Sequence, residues 1–188
     1  NAMPLPAANA GLYDQRFSEA ERRAKDRLWA VLVVGYFQRW VRDNYTVVDL
    51  GCGFGEFLKA LRCGRRIGVD ANESIKDLLA PGIEFHAGDV CDLSFLADST
   101  ADVVFTSNLL EHLSGKAAVE QTLAEARRVL TPGGLFIALG PNLRFLPGEY
   151  WDFWDHLVPI TDRSLTEALR TLDFEILESV PRFLPYTT

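Results

Sequence analysis

The chain has 188 residues, of which 48% are apolar and 24% are charged, and this composition is typical of one globular domain with a buried core. The net charge of −7 and the lack of Lys and Arg clusters argue against nucleic acid as a partner, because phosphate binding requires basic residues. We therefore expect a single domain over residues 1–188 that acts on neither DNA nor RNA.

The sequence shows no signal for secretion or membrane insertion. Its most apolar window, residues 29–37, is far shorter than the roughly 20 residues that span a bilayer, and residues 1–6 lack the features of a signal peptide. Three cysteines without CxxC spacing predict reduced thiols and no metal site. These observations predict a cytoplasmic protein without a transmembrane segment. Residues 1–2, ahead of Met3, are typical of a tag remnant.

Apolar residues recur with helical spacing from Phe17 to Trp40 and predict one or two amphipathic helices within residues 12–42. The apolar face of this pattern consists of residues 17, 20, 24, 28, 31, 32, 36 and 40. We expect this face to pack against a sheet.

Residues 46–60, TVVDLGCGFGEFLKA, form the most informative segment of the chain. The β-branched run Thr46–Val48 predicts a buried strand, and the apolar spacing after the glycines predicts a helix. The alternate glycines, Gly51, Gly53 and Gly55, allow positive φ angles and let a ligand approach the backbone. Strand, glycine turn and helix together indicate a nucleotide-type ligand site.

Two details of this segment indicate which ligand it binds. A dinucleotide site requires G-x-G-x-x-G, whereas here Gly55 comes one residue early and Glu56 takes the last position. Asp49 at the end of the strand would repel a pyrophosphate, but its carboxylate suits a ligand with an ammonium or sulfonium group. A glycine-rich turn without a ligand is the alternative.

The sequence from residue 46 to 180 resembles the class I S-adenosylmethionine (SAM) methyltransferases, of the type 11 and type 23 kind, whose first motif is similar to VVDLGCGFG. The resemblance implies an α/β, Rossmann-like three-layer sandwich with a mainly parallel sheet. It implies SAM as the cofactor and S-adenosylhomocysteine (SAH) as the product. It also implies that the cofactor is held by Asp49, Gly51, Cys52, Gly53 and Gly55.

Two further strand ends are expected to contact the cofactor. The segment RRIGVDAN ends a strand at Asp70, next to Ala71, and a carboxylate at this position is suited to accept hydrogen bonds from both ribose hydroxyls. Capping of a helix over Glu73–Leu79 is an alternative role for Asp70. The segment IEFHAGDVCDL ends a third strand, and the resemblance implies that Asp89 and the amide of Val90 bind the adenine ring.

A fourth strand over Val103–Phe105 is followed by Asn108 and Leu109, which the resemblance places near the methionine part of SAM. Glu111 and His112 come next. His112 is a candidate general base, since a pKa of about 6.5 lets an imidazole accept a proton at neutral pH. The alternative is that Glu111 and His112 bond to the backbone and hold the loop.

The rest of the core continues the alternation of strands and helices. A helix over Lys116–Leu130 is predicted to end at TPGG, LFIALG supplies a fifth strand, and a helix over Asp162–Thr171 leads to a sixth strand, FEILES. This alternation independently predicts a parallel sheet with helices on both faces. The family's seventh strand is missing, so we expect that the sequence stops short of it and that a homodimer could cover the exposed edge.

The segment between the fifth strand and the last helix, residues 141–160, is long, irregular and aromatic, and such loops usually carry function. We expect it to bind the methyl acceptor through Asn142, Arg144, Tyr150, Trp151 and Trp154. His156 is a second candidate base, with Asp152 or Asp155 as an orienting carboxylate. A hydrophobic lid or a partner-binding surface is the alternative.

Three segments indicate the class of acceptor. YDQRF, GCGFGEF and YWDFWDHLVPITDRSLTEAL are similar to segments of methyltransferases associated with bacterial polysaccharide and cell-surface glycan synthesis. This likeness implies a small-molecule or saccharide acceptor.

Helices ahead of the first strand often close over SAM in the family. This implies contacts by Tyr13, Arg16, Phe17 or Arg23, and a helix that only covers the sheet is the alternative.

The expected function is transfer of the SAM methyl group to the acceptor by in-line displacement, in which positioning supplies most of the catalysis. A noncatalytic SAM-binding or scaffolding domain is the alternative. A nicotinamide-dependent reductase ranks behind both, because its glycine spacing is absent.

Overall fold

The computed structural model describes residues 19–146 and 148–184, and of residues 19–21, 149 and 151 it describes the backbone alone. Among these residues, five strands form one parallel sheet in the order β3-β2-β1-β4-β5. The strands are β1 (Thr46–Leu50), β2 (Arg65–Asp70), β3 (Ile83–Ala87), β4 (Ala101–Ser107) and β5 (Leu130–Leu139). The α-helices are α1 (Glu19–Gly35), α2 (Glu56–Ala60), α3 (Lys116–Val129) and α4 (Asp162–Thr171), and short 3-10 helices cover Phe37–Trp40, Glu73–Leu78, Leu110–His112 and Glu149–Asp152.

Helices cover both faces of the sheet. Because successive side chains of a strand point to opposite faces, Val48 joins the core formed with α3 and α4, whereas Val47 joins the core formed with α1 and α2. In the second core Phe57 of α2 stacks on Phe105 of β4, with ring centroids 3.7 Å apart. Full burial of such a side chain contributes about 1.5–3 kcal/mol. The predicted three-layer α/β sandwich is confirmed.

The strand order places a ligand site at one edge of the sheet. From β1 the chain turns to β2 and β3 on one side and then crosses to β4 and β5 on the other. Open parallel sheets bind ligands outside the carboxyl ends of the strands where the order reverses. The loops that follow Leu50 and Ser107 therefore border the expected crevice.

Of the predicted apolar face, Leu32, Tyr36 and Trp40 pack against the core, but within α1 the buried face is shifted towards two other residues. Trp29 and Val33 face the sheet, and the Trp29 ring lies 5.8 Å from that of Phe57, whereas Leu28 and Val31 are 49% and 69% exposed. The large aromatic ring sets the rotation of the helix because it buries more apolar surface than the aliphatic stripe. Residues 13, 16 and 17 lie outside the described part of the chain. No helix within that part is long and apolar enough to cross a bilayer.

The TPGG segment lies inside β5. The prediction that it separates the helix from the fifth strand is therefore wrong. The helix α3 ends at Val129, and Leu130 already pairs with Ala101. The register then jumps so that Val103 pairs with Leu135, which makes the intervening residues a bulge, with Gly133 at a φ of 78°. A bulge admits Pro and Gly into a strand because it interrupts the hydrogen-bond ladder.

The predicted sixth strand, FEILES, is wrong, because residues 174–179 adopt no strand. Side chains hold this segment instead of a backbone ladder. The Phe174 ring packs against that of Phe136 at 5.8 Å, and the Glu178 carboxylate accepts hydrogen bonds from Tyr36 Oη at 2.5 Å and from Arg39 at 2.7 Å. Alternating apolar residues alone do not form a strand when no neighbouring backbone pairs with them.

Candidate functional site

The turn after β1 requires its glycines. Gly51, Gly53 and Gly55 have left-handed φ angles of 70°, 51° and 73°, which other residues adopt at a cost. A Cβ atom on Gly51 would lie 2.8 Å from Cδ1 of Leu109. The amides of Gly51 and the next residue donate to the carbonyl of Val69 at 2.8 and 3.1 Å. These contacts fix the turn against β2.

Asp70, at the end of β2, is oriented by two backbone amides. Its Oδ2 accepts from the amide of Gly53 and its Oδ1 from the amide of Asn72, each at 2.9 Å. Asn72, whose side chain accepts from the Ser74 amide at 3.1 Å, caps the following 3-10 helix, so the predicted capping role of Asp70 is wrong. Each carboxylate oxygen can accept a second hydrogen bond, which makes Asp70 a pre-oriented acceptor for a pair of hydroxyls.

Negative charge concentrates beneath the glycine turn. Asp49 is buried, and burial, together with the charges of Asp70 and Glu56, raises the pKa of its carboxyl well above the ordinary range. Cys52 is also buried, and burial raises the pKa of its thiol, with Asp49 and Asp70 adding to the effect. The thiol is therefore neutral at physiological pH. A cationic ligand group beside Asp49 would offset the cost of the buried carboxylate.

The end of β3 brings the predicted adenine-binding residues to the same edge. The amide of Gly88 donates to the carbonyl of Asp70 at 3.0 Å. Asp89 is exposed, and its Oδ1 accepts from the amide two residues later at 2.9 Å. Val90 is buried, whereas Ala71, which directly follows Asp70 in sequence, is exposed. The carboxylates of Asp70 and Asp89 thus follow neighbouring strands.

Asn108 and Leu109 connect the glycine turn with the ends of β4 and β5. Asn108 has a left-handed φ of 49°, and its amide donates to the carbonyl of Leu139 at 2.9 Å. The side chain of Leu109 lies over Gly51. These two residues, predicted to line the methionine part of the cleft, sit where the two halves of the sheet meet.

Two histidines and one aspartate meet beyond the ends of β4 and β5. One ring nitrogen of His112, one of His156 and one carboxylate oxygen of Asp155 all lie within 4.8 Å of one another. His112 Nδ1 is 3.0 Å from the main-chain oxygen of Asp155 and 3.5 Å from its Oδ2, and the two imidazole centroids are 4.9 Å apart. The fold thus unites both candidate bases and selects Asp155, not the exposed Asp152, as their neighbouring carboxylate.

Glu111 also belongs to this region. From the sequence we expected it to have only a structural role. Its side chain is buried, with Oε1 4.0 Å from His112 Nε2, and burial, followed by the charge of Asp155, raises the pKa of its carboxyl to about 7. Its main-chain carbonyl accepts from the amides of Leu157 and Val158 at 2.8 and 3.0 Å. Glu111 therefore holds the loop through its backbone, as the alternative prediction proposed, while its carboxyl faces His112.

Comparisons with known proteins agree with this geometry. Residues 48–138 match the family model described as "Methyltransferase domain". Over 144 residues the chain is 33% identical to a protein of Mycolicibacterium smegmatis named "Probable S-adenosylmethionine-dependent methyltransferase", with 73% of this chain and 54% of that protein covered. The chain belongs to the class I SAM-dependent methyltransferases.

The chain is also similar to two further proteins. It is 29% identical over 175 residues to a demethylmenaquinone methyltransferase of Symbiobacterium thermophilum, with 77% of this chain and 66% of that protein covered. A crystal structure of a SAM-dependent methyltransferase from Thermotoga maritima shares the fold, with a TM-score of 0.69, 22% identity and coverage of 92% of this chain and 87% of that chain. The chain spans 54% and 66% of the lengths of the two curated relatives.

The residues at this edge of the methyltransferase fit SAM, the cofactor of the family. Two buried side-chain nitrogens, Arg22 Nε and Asn72 Nδ2, have no hydrogen-bond partner among the described residues, and SAM carries a carboxylate and hydroxyl groups that can accept from them. The Arg22 guanidinium lies 4.2 Å above the ring of Phe54 in the glycine turn. The resemblance to the family had pointed to Arg23 instead, one position away.

Three of the predicted acceptor residues of the methyltransferase anchor the loop that carries them. Asn142 Nδ2 and Arg144 Nη1 both donate to the carboxylate of Asp162 at the start of α4, at 2.9 and 2.8 Å. Tyr150 is buried and its Oη donates to the carbonyl of Val158 at 3.2 Å. Each of these polar groups is thus engaged within the protein, which favours a structural role over direct acceptor binding.

The two predicted tryptophans differ from these anchors. The side chain of Trp154 is 96% exposed, so it remains available for an acceptor or a partner. The side chain of Trp151 lies outside the described part of the chain, although its backbone belongs to the 3-10 helix Glu149–Asp152. The role of these residues in acceptor binding stays a prediction.

Proposed function

We propose that this chain transfers the methyl group of SAM to an oxygen, nitrogen or carbon atom of a small-molecule or saccharide acceptor. One observation carries this proposal. The side chain of Leu109 covers Gly51 in the glycine turn, and the amide of His112 donates to the Leu109 carbonyl at 2.9 Å. We call the glycine turn, Asp70 and Asp89 the cofactor edge, and His112, Asp155 and His156 the histidine cluster. A single short turn therefore joins the cofactor edge to the histidine cluster, and methyl transfer requires that the two sites be adjacent.

The cofactor edge supplies a complementary group for each part of SAM. Asp70 binds the ribose hydroxyls, Asp89 and the amide of Val90 bind the adenine, Arg22 binds the carboxylate, and Asp49 favours the positive charge. When bound, SAM supplies a methyl group on a cationic sulfur and leaves as the neutral thioether SAH. The backbone of the glycine turn excludes water and fixes the ligand, since positioning supplies most of the catalysis in such a displacement.

The histidine cluster accepts the proton when the acceptor atom is a hydroxyl oxygen. Nδ1 of His112 faces the carbonyl of Asp155 at 3.0 Å, and Nδ1 of His156 faces the carbonyl of Tyr150 at 2.8 Å. These contacts favour the tautomer with the proton on Nδ1 and the lone pair on Nε2. Each imidazole is thus prepared to act as a general base, a contribution of about 10²–10⁴ in rate.

Calorimetric titration with SAM, SAH and NADH tests the cofactor part of the proposal. We expect SAM and SAH to bind and NADH to give no response. Asp70→Asn should weaken SAM binding by about 10- to 100-fold, because hydrogen bonds to a charged group contribute about 1.5–3 kcal/mol. Asp77→Asn, an exposed position on the adjacent 3-10 helix, is the matched control. Equal SAM affinity in both variants would overturn the assignment.

The transfer itself is tested by measuring SAH by mass spectrometry after incubation with SAM and panels of sugars, nucleotide sugars, phenols and amines. We expect SAH to appear with one class of acceptor and the mass of that acceptor to rise by one methylene unit. SAH formation that is identical with and without every acceptor would contradict the proposed reaction.

A noncatalytic SAM-binding or scaffolding domain is the second candidate. It is favoured by the exposed apolar residues of the loop, since Trp154, Leu157 and Phe153 are 96%, 51% and 38% exposed, and contiguous exposed apolar side chains mark interaction surfaces. This candidate predicts SAM binding that is weakened by Asp70→Asn, together with no acceptor-dependent SAH.

A further inference from the structure

We propose that His112, Asp155 and His156 form a binding site for a divalent transition-metal ion. Two imidazoles and one carboxylate, with one ligand atom from each within 4.8 Å of the others, make the donor set typical of catalytic zinc and non-haem iron sites. Such sites use three protein ligands and leave a position for water or substrate. This site could not be predicted from the sequence because His112 lies far along the chain from the other two ligands.

The orientation of both imidazoles matches that of metal ligands. A histidine that binds a metal through one ring nitrogen normally donates from the other to a backbone carbonyl or a carboxylate, which fixes the ring. The Nδ1 atoms of His112 and His156 lie 3.0 and 2.8 Å from main-chain carbonyl oxygens. Two separate rings therefore have the supporting contact that a metal site needs, and that contact directs the lone pair to Nε2.

The backbone holds the two parts of the cluster together. The amides of Leu157 and Val158 both donate to the carbonyl of Glu111, at 2.8 and 3.0 Å. These bonds flank the cluster, because Glu111 precedes His112 and Leu157 follows His156. The ligands are thus arranged by main-chain contacts rather than by contacts of the ligand side chains alone, which reduces the reorganisation that binding requires.

The charge of the region favours a cation. The buried carboxyl group of Glu111 has its Oε1 4.0 Å from His112 Nε2, and the Asp155 carboxylate is 3.5 Å from His112 Nδ1. Ligand atoms around a tetrahedral zinc ion lie roughly 3.4 Å apart, given bond lengths of about 2.1 Å. Closing the widest separation of 4.8 Å by about 1.4 Å therefore converts the observed arrangement into a coordination site.

A cation at this site would deepen the proposed function, on which this consequence rests. Asp155 and His156 belong to the loop in which the acceptor is proposed to bind, and a divalent ion lowers the pKa of an oxygen ligand. The acceptor would then be an oxygen compound whose hydroxyl is ionised by the metal, and the imidazoles would serve as ligands instead of bases. Binding of the metal alone does not depend on methyl transfer.

The test is a titration of the chelator-treated protein with Zn²⁺, followed by calorimetry, and with Co²⁺, followed by its visible absorption. We expect one ion per chain. His112→Asn, His156→Asn and Asp155→Asn should each weaken binding by about 100-fold or more, beyond the 10- to 100-fold that loss of a supporting group costs. The matched controls are His86→Asn, whose ring stacks on Phe95 at β3, and Asp152→Asn, an exposed position of the same loop.

Two outcomes would overturn the metal site. The first is the absence of stoichiometric binding, and the second is equal loss of affinity in the cluster variants and in His86→Asn. SAM titration and thermal unfolding of every variant show whether it is folded. SAM binding without metal binding would leave the proposed function standing with the histidines as bases, whereas metal binding without SAM binding would support this site and contradict the proposed function.

Discussion

The cofactor edge and the acceptor loop of this chain are assembled in different ways. The glycine turn, Asp70 and Asp89 lie at or just after the ends of β1, β2 and β3, and backbone amides of the turn donate to Val69 and Asp70 of the neighbouring strand β2. The loop over residues 141–160 follows no strand-and-turn pattern of this kind. Hydrogen bonds to Glu111 and Asp162 hold it in place, and an internal bond joins Tyr150 to Val158. The ends of adjacent strands of the sheet therefore determine the cofactor site, whereas contacts outside the sheet determine the position of the acceptor loop.

This difference predicts that variants of the histidine cluster affect turnover without affecting the cofactor. His156→Asn should lower the rate of acceptor methylation by about 100-fold or more, the contribution of a general base or an equivalent proton-removing group, while SAM affinity stays within about twofold of wild type. Initial rates and calorimetry measure the two effects. His86→Asn is the control, and a parallel loss of SAM affinity in His156→Asn would show that the two regions are not separate.

The converse variant affects the cofactor edge alone. Gly51→Ala should weaken SAM binding by about 100-fold, or about 2.7 kcal/mol, because its Cβ would lie 2.8 Å from Leu109 and would fill the space along the turn. Gly82→Ala is a matched control, since Gly82 also has a positive φ, 84°, but has no atom within 4 Å of the added Cβ. Both variants introduce the same kind of backbone strain, so equal SAM affinities would contradict the proposal that the glycine turn binds SAM.

The Asp49 carboxyl is expected to lower the stability of the ligand-free protein and to strengthen SAM binding. Its carboxyl pKa is raised in the folded state, so the folded protein binds the proton more tightly than the unfolded one, and stability falls as pH rises from about 4 through the raised folded pKa. Asp49→Asn should therefore stabilise the ligand-free protein at pH 7 by on the order of 1 kcal/mol and weaken SAM binding about tenfold. Urea unfolding and calorimetry measure both, with the exposed Asp43→Asn as control. A lower stability of Asp49→Asn would refute this account of the buried carboxyl.

The smallest effect concerns the anchors of the acceptor loop. Tyr150→Phe removes the hydrogen bond from Oη to Val158 and should lower the free energy of unfolding by about 1 kcal/mol. Trp154→Ala, at a side chain that is 96% exposed, should change it by less than about 0.5 kcal/mol while affecting acceptor binding. A larger stability loss for Trp154 than for Tyr150 would reverse the roles given to them.

The predictability of each region from sequence follows the same division. The strand, turn and helix over residues 46–60 and the position of Asp70 at a strand end are encoded by the glycine spacing and apolar runs of each segment, so the sequence predicted them. The buried face of α1 depends on the packing of Trp29 against Phe57, which is distant in sequence. The bulge in β5 depends on the pairing of Leu130 with Ala101. Such pairings are decided by the whole fold and leave no local pattern.

The candidate site shows the same limit. The sequence identified His112, His156 and Asp155 as separate candidates, but only the fold brings them within 4.8 Å of one another. It also placed Asn142 and Arg144 in acceptor binding, whereas both contact Asp162. Residue type shows which chemistry a loop can perform, and the partners that satisfy its polar groups show which chemistry remains available.

The most direct test of the central claim is a crystal structure of the chain grown with SAH. The account predicts that the ribose hydroxyls lie at hydrogen-bond distance, about 3 Å, from the Asp70 carboxylate, with the adenine against Asp89 and Val90 and the sulfur side toward Leu109 and the histidine cluster. SAH bound at another edge of the sheet, or with its ribose away from Asp70, would contradict it.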